Sequence, residues 1–245
     1  AYIRDLGAYV EGIGRGQLGR FETERDPDGR LVWRPTLPCT VVSLFERGCI
    51  ERGYSYFEGG PVYNVISPHI GGLADTVNSL YAIKKAVFDE KRLGLGEFFD
   101  ILAANWDGSE PFRQHMLTAY RYFGNDNPEV DSIYSKLLSD FSDICSDMEN
   151  ELGTNCGYRF PSGVSTFGRQ LEWAPNRLAS PHGHRAHEVL APNCSPTPGS
   201  DREGATAIIR SYAAADLTKQ VTGAALDIKL LPDSVDGDEG LDAIV

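Results

Sequence analysis

The sequence predicts an α/β fold rich in helix, and three observations carry that expectation. Residues 73–88 and 129–151 place apolar side chains at the helical period of 3.6. Leu226–Leu230 (LDIKL) alternates apolar and polar residues, as a half-buried strand does. From Gly153 to Gly204, Gly, Pro, Asn and Ser punctuate the chain, so that stretch reads as loops between elements.

Taken in order, residues 1–35 read as an irregular N-terminal segment. They hold a short helical start, a Gly- and Arg-rich passage, then Pro27, Gly29 and Pro35. Residues 36–245 read as the folded domain. Thr40–Glu51 fits one helix, with Val41, Leu44, Phe45 and Cys49 on an apolar face, Thr40 or Ser43 as cap and Gly53 as terminator. Residues 56–66 are extended, with a turn at Gly59, Gly60 and Pro61. Leu73–Phe88 is the strongest helix: Leu73, Val77, Leu80, Ile83 and Val87 share one face. Asp75 sits in its first turn, and Lys84 and Lys85 sit toward its end, as the helix dipole prefers. Helices over 96–104, 110–121 and 129–151 follow; the last carries Ile133, Leu137, Leu138, Phe141, Ile144 and Met148. Residues 205–214 fit a strand or short helix. The terminal DSVDGDEGLDAIV reads as a turn entering a helix.

At 245 residues the chain can bury one substantial core or two small ones. A net charge of −12 opposes nonspecific binding to nucleic acid or to an anionic membrane surface. No apolar run of about 18 residues is present, so no membrane span is expected. The first residues lack the shape of a signal peptide. Five cysteines (Cys39, Cys49, Cys145, Cys156, Cys194) form no C-x-x-C pair, which fits free thiols and a cytoplasmic location.

A set of words in register gives the family. They are C-I-E-R-G (Cys49–Gly53), E-G-G-x-x-Y-N (Glu58–Asn64), G-L-A-D-x-x-x-S-L-x-A-I-K-K-x-V-F (Gly72–Phe88), A-N-W-D-G (Ala104–Gly108) and F-G-N-D (Phe123–Asp126). They continue with the loop Leu178–Leu190, with S-P-T-P-G-S-D-x-x-G-A-T-A-I-I (Ser195–Ile209) and with L-D-I-K-L-L-P (Leu226–Pro232). Residues 36–245 thereby resemble the glycyl radical enzymes of the pyruvate formate-lyase-like superfamily. The resemblance implies part of a ten-stranded β/α barrel, its second half. No segment here matches the family's Cys-x-Glu finger loop or its R-V-x-G-[YF] glycine loop, so the chain is expected to be an excerpt or a truncation, inactive alone.

What the resemblance implies for function is a lyase, or a formate acetyltransferase-like enzyme, acting by thiyl-radical hydrogen abstraction. The reaction would be C–C cleavage, decarboxylation or dehydration of a small organic acid, alcohol or amine. Ala104, Asn105 and Trp106 lean toward the aryl-acetate decarboxylase-like branch. No cofactor is expected to be bound. The glycyl radical lies outside this chain, installed by a radical-SAM activating enzyme. The expected partners are that activase, the rest of the barrel, a small-molecule substrate and further copies of the chain. Unpaired strand edges of a half barrel would favour such association. The alternatives are a noncatalytic scaffold or interaction subunit with the same fold, and a metalloprotein using a His loop.

Several residues invite a chemical reading. Cys49-Ile50-Glu51 has the spacing of a radical cysteine with a carboxylate base, but its word matches a structural segment of the family, so Cys49 is expected in a core. Glu58, Gly59, Gly60, Tyr63 and Asn64 are the candidate substrate-facing residues, with Glu58 and Tyr63 as candidate catalytic groups. His182, His184 and His187 are candidate metal ligands, three imidazoles within six residues. In the family pattern P-D-G-R-x-A-G-E, His182 replaces Asp, His184 replaces Arg and His187 replaces Gly, so other groups must hold this loop. Gly14, Gly16 and Gly19 satisfy G-x-G-x-x-G, but no strand precedes them and no helix start follows, so the dinucleotide reading fails its context test.

Overall fold

A computed structural model describes residues 21–25, 27, 31–35, 39–56, 59–150, 159–166, 168–230, 236, 237 and 242. The Gly14–Gly19 motif, Glu58, Cys156 and most of the C-terminal segment lie outside the described residues. The chain divides into two compact units, one within residues 1–68 and 140–162 and the other within 69–139 and 163–245.

In the first unit, β1 (Phe21–Arg25) pairs antiparallel with β2 (Leu31–Pro35), Thr23 opposite Trp33. Within the segment 1–35 read as irregular, residues 21–25 and 31–35 are therefore strand. The physical reason is local: β-prone Phe, Thr, Leu, Val and Trp flank the turn-forming D-P-D-G.

The helix expected over Thr40–Glu51 is two short pieces, α1 (Thr40–Phe45) and α2 (Cys49–Arg52). Between them Gly48 takes φ 102°, a value that breaks a right-handed helix. The break also overturns the shared apolar face: Cys49 is buried, whereas Phe45 is 86% and Val41 71% exposed. Gly53 ends α2 at φ 70°, as expected. In the extended stretch Val65 makes a parallel bridge to Arg159, and Val62 N–H donates to Arg47 O at 2.9 Å.

The second unit is built on α3 (Leu73–Ile83). Its buried face is Leu73, Ala74, Asp75, Val77, Asn78, Tyr81 and Ala82, so two polar residues share the apolar stripe. The helix then widens into a π-helical turn, Lys84–Asp89, where Glu90 N–H donates to Lys85 O at 2.8 Å. Lys84 donates to both Asp89 and Glu129 at 2.6 Å there. α4 (Leu95–Ala103), α5 (Glu110–Thr118) and α6 (Pro128–Met148) follow. Val77, Phe98, Trp106, Met116, Phe123, Val130, Tyr134 and Leu138 form one core. Each such large apolar side chain contributes roughly 1.5–3 kcal/mol on burial.

α7 (Arg169–Trp173) and α8 (Ala205–Ala213) complete the α-helices among the described residues, so residues 205–213 resolve as helix rather than strand. Leu226–Leu230 carries no strand. The pairing there is one parallel bridge, Val164 to Ala224, and the next backbone groups go elsewhere: Cys194 N–H donates to Ala225 O, and Asp227 N–H donates to Ser195 Oγ. Leu226 and Ile228 are half-buried while Leu230 is 43% exposed, and a strand needs a ladder partner where these residues find loop groups.

Candidate functional site

The best-defined cluster of ionisable groups lies within the second unit. α3 supplies Asp75 from its first turn, and the loop 177–191 supplies Arg177, His182, His184 and Glu188. Asp75 is buried. Its Oδ1 accepts from Arg177 Nη2 at 3.0 Å and lies 3.3 Å from His182 Nε2 and 4.0 Å from His184 Nδ1. Its Oδ2 accepts from Ala191 N–H at 2.6 Å. Burial pushes this carboxyl up. The His182 hydrogen bond and charge, the Arg177 guanidinium and the Ala191 N–H outweigh burial and hold it below the usual carboxylate range.

Arg177 directs the rest of its fork at the loop itself. Nη1 donates to Glu188 O at 3.0 Å and Val189 O at 3.2 Å, and Nη2 donates to Ser180 Oγ at 3.1 Å. His184 Nδ1 sits 3.4 Å from Arg177 Nη1 and 3.3 Å from Glu188 Oε2. Burial, followed by the charge of His182, pushes the His184 imidazole down to about 4, against the opposing pull of Glu188 and Asp75. It is therefore neutral at pH 7.

The loop is fixed from outside as well. Trp106 Nε1 donates to His184 O at 3.1 Å, Asn105 Oδ1 accepts from Ala186 N–H at 2.7 Å, and Arg185 reaches Asn105 O, Asp107 and Glu110. Gly183, at φ 105°, leaves no room for a Cβ, which would stand 2.7 Å from Leu117 Cγ. Asn78, the other polar residue of the α3 stripe, donates to Thr197 and accepts from Phe123 N–H, both at 3.0 Å. The words A-N-W-D-G and F-G-N-D thus act as clamps on the loops that follow them.

Of the three histidines grouped by sequence, the structure brings His182 and His184 together, with ring centroids 4.6 Å apart. His187 is exposed, and its Nδ1 lies 2.8 Å from Pro175 O. The third group close to His182 and His184 is Asp75: the three residues have ligand-capable atoms within 4.8 Å of one another. Asp75 was visible in the sequence as a first-turn acid. Its place on an apolar helical stripe was the signal that it needs a partner, although nothing in the sequence named Arg177 as that partner.

The substrate-facing candidates lie in the first unit. Gly59 takes φ 80°, and a Cβ on Gly60 would stand 2.1 Å from Tyr54 O, so both glycines serve a tight turn. Tyr63 is 69% exposed, and Asn64 O accepts from Arg159 N–H at 2.8 Å. Glu51 Oε2 accepts from Gly48 N–H at 3.0 Å, which caps α2. Burial first, then Glu46 and Glu51, push the Cys49 thiol up against the pull of Arg52. A thiol so placed is a core group.

Residues 29–167, more than half of the chain, match the pyruvate formate lyase-like family. The chain belongs to that family. Among its relatives, the probable dehydratase YbiW of Escherichia coli (strain K12) is 30% identical over 194 residues, 78% of this chain and 24% of that protein. The structure of hydroxyproline dehydratase from Clostridioides difficile, solved with trans-4-hydroxy-L-proline, superposes with TM-score 0.76 at 28% identity, covering 84% of this chain and 26% of that one. A glycyl radical enzyme from Archaeoglobus fulgidus superposes with TM-score 0.76 at 25% identity, covering 99% of this chain and 29% of that one. The chain therefore spans about a quarter of the length of the pyruvate formate lyase-like relatives it matches. Among the described residues no helix is long and apolar enough to cross a membrane.

Proposed function

We propose that this chain is the second-half portion of a ten-stranded barrel in a glycyl radical lyase, and that the reaction is loss of water from a small hydroxylated substrate. The likeness to a glycyl radical enzyme along 99% of the chain supports the first part. Dehydratases among its relatives support the second. In this chemistry a radical-SAM activating enzyme removes hydrogen from a backbone glycine, and the radical passes to a cysteine. The thiyl takes a hydrogen atom from a substrate carbon, a carboxylate assists departure of the neighbouring hydroxyl as water, and the cysteine returns the hydrogen.

In this reading the present chain encloses the radical rather than bearing it, keeping water and oxygen from it. Glu58, Gly59, Gly60, Tyr63 and Asn64 are assigned to the substrate side. The segment Ala104–Trp106 is assigned no part in substrate choice, because Asn105 and Trp106 hold the 177–191 loop. The assembly works in the cytoplasm as a homo-oligomer with its activase. The test is the coding sequence on both sides of this segment. A continuous frame with a Cys-x-Glu loop upstream and an R-V-x-G-[YF] loop downstream is expected. A frame lacking both would favour a noncatalytic scaffold of the same fold.

A further inference from the structure

Three ligand-capable atoms converge in the Asp75 cluster, Asp75 Oδ1, His182 Nε2 and His184 Nδ1, within 4.8 Å of one another. Ser79 Oγ–H donates to Asp75 O at 2.6 Å, so it accepts from His182 Nδ1, 3.1 Å away. His182 Nδ1 then carries a ring proton, and Nε2 faces Asp75 Oδ1 at 3.3 Å and Ser180 Oγ at 3.5 Å. A cation shared between Nε2 and Asp75 Oδ1, a proton or a metal ion, satisfies both atoms. The N–H groups of Arg177 are directed at Asp75, Ser180, Glu188, Val189 and His184, not at this nitrogen.

We propose that Asp75 Oδ1, His182 Nε2 and His184 Nδ1 form a binding site for a divalent transition-metal ion of the zinc type. Metal bonds of about 2.0–2.2 Å place tetrahedral ligand atoms roughly 3.4 Å apart. Of the two separations from Asp75 Oδ1, that of 3.3 Å already meets this value and that of 4.0 Å needs only a small contraction. Two imidazoles and one carboxylate are a donor set suited to zinc. The supporting shell is also built. Ser79 holds the far nitrogen of His182 and Ala191 N–H holds the far oxygen of Asp75, the outer contacts that orient metal ligands. Asp75 Oδ1 has a second lone pair beside the one that receives Arg177.

Arg177 opposes an added cation, and Glu188, 3.3 Å from the same His184 nitrogen, offsets it. Asp75 and Glu188 against Arg177 leave a formal charge of about −1 to receive the ion. The site would tie the first turn of α3 to the 177–191 loop. It differs from the trio read in the sequence, since Asp75 takes the place of His187, and it does not rest on the proposed reaction.

The test is calorimetric titration of the chelator-treated chain with zinc chloride, in two buffers of different ionisation enthalpy. One ion per chain, proton release on binding and a raised Tm are expected. His182→Gln and His184→Gln should each weaken binding at least about tenfold, while His187→Gly leaves it unchanged. His182 is fully enclosed, so circular dichroism checks the fold of each variant, and His184→Gln decides the matter if His182→Gln does not fold. Absence of stoichiometric binding, or equal affinity in His184→Gln, overturns the proposal.

Discussion

Arg177 Nη2 lies 3.0 Å from Asp75 Oδ1, a buried ion pair between residues 102 positions apart. The family pattern places an arginine at the position of His184. In this chain the cation beside Asp75 comes from seven residues earlier. The Arg177–Asp75 pair ties the loop to α3, and the loop's stability should depend on that pair.

Arg177→Met should destabilise the second unit by about 3 kcal/mol, because it leaves a buried carboxylate without its guanidinium. Urea denaturation followed by circular dichroism measures this. The double variant Asp75→Asn/Arg177→Met should cost clearly less than the two single changes added together, since the partners are in contact. Strict additivity would show that the pair does not act as a unit.

Two glycines of the first unit should differ. A Cβ at Gly60 meets the Tyr54 carbonyl at 2.1 Å, a backbone atom that cannot step aside. Gly60→Ala should cost about 2–3 kcal/mol through overpacking. Gly53 has φ 70° and open space around it, so Gly53→Ala should cost only about 1 kcal/mol, the left-handed penalty. Thermal melts of both variants give the comparison.

Acid sensitivity should trace in part to Glu149. Burial raises its carboxyl, but the Phe160 N–H at 2.9 Å and Arg159 at 2.5 Å outweigh that and hold it below the usual range. A depressed folded-state carboxyl binds its proton later than the unfolded chain does. Its contribution is therefore present above the unfolded value of about 4.3 and lost as pH falls through the folded value. Glu149→Gln should cost roughly 1 kcal/mol at pH 7, and its stability curve should converge on that of the parent chain as pH falls through the folded value. A constant offset across that range would contradict the assignment.

α1 exposes Val41, Leu44 and Phe45 together, and α2 exposes Ile50. Such a patch on one short segment should drive self-association of the isolated chain. Sedimentation velocity should show concentration-dependent oligomers, reduced in Leu44→Glu/Phe45→Glu. A monodisperse parent monomer would count against it.

Much of this was legible in the sequence, for physical reasons that can be named. The helix at Leu73 and the one ending at Met148 announced themselves through a sustained 3.6 period, which is a local property. Gly53 was read as a terminator because positive φ is cheap only for glycine. Gly48 was missed because a glycine inside a periodic run can also stay helical, and its φ of 102° is set by the close approach of Gly60 O and Val62. His182 and His184 were found as neighbours in sequence. Arg177, Ser79 and Asp75 were not joined to them, since those contacts depend on how a Pro- and Gly-rich loop returns to a helix a hundred residues earlier. Leu226–Leu230 kept the alternation of a strand without acquiring its ladder.

This chain is proposed to be barrel structure around a glycyl radical. The most direct measurement is electron paramagnetic resonance of the complete protein that carries this segment, reduced anaerobically with its radical-SAM activase and S-adenosylmethionine. A carbon-centred radical is expected, its splitting collapsing when the protein is made with deuterated glycine. Absence of that signal, under conditions in which a known glycyl radical dehydratase is activated, would contradict it.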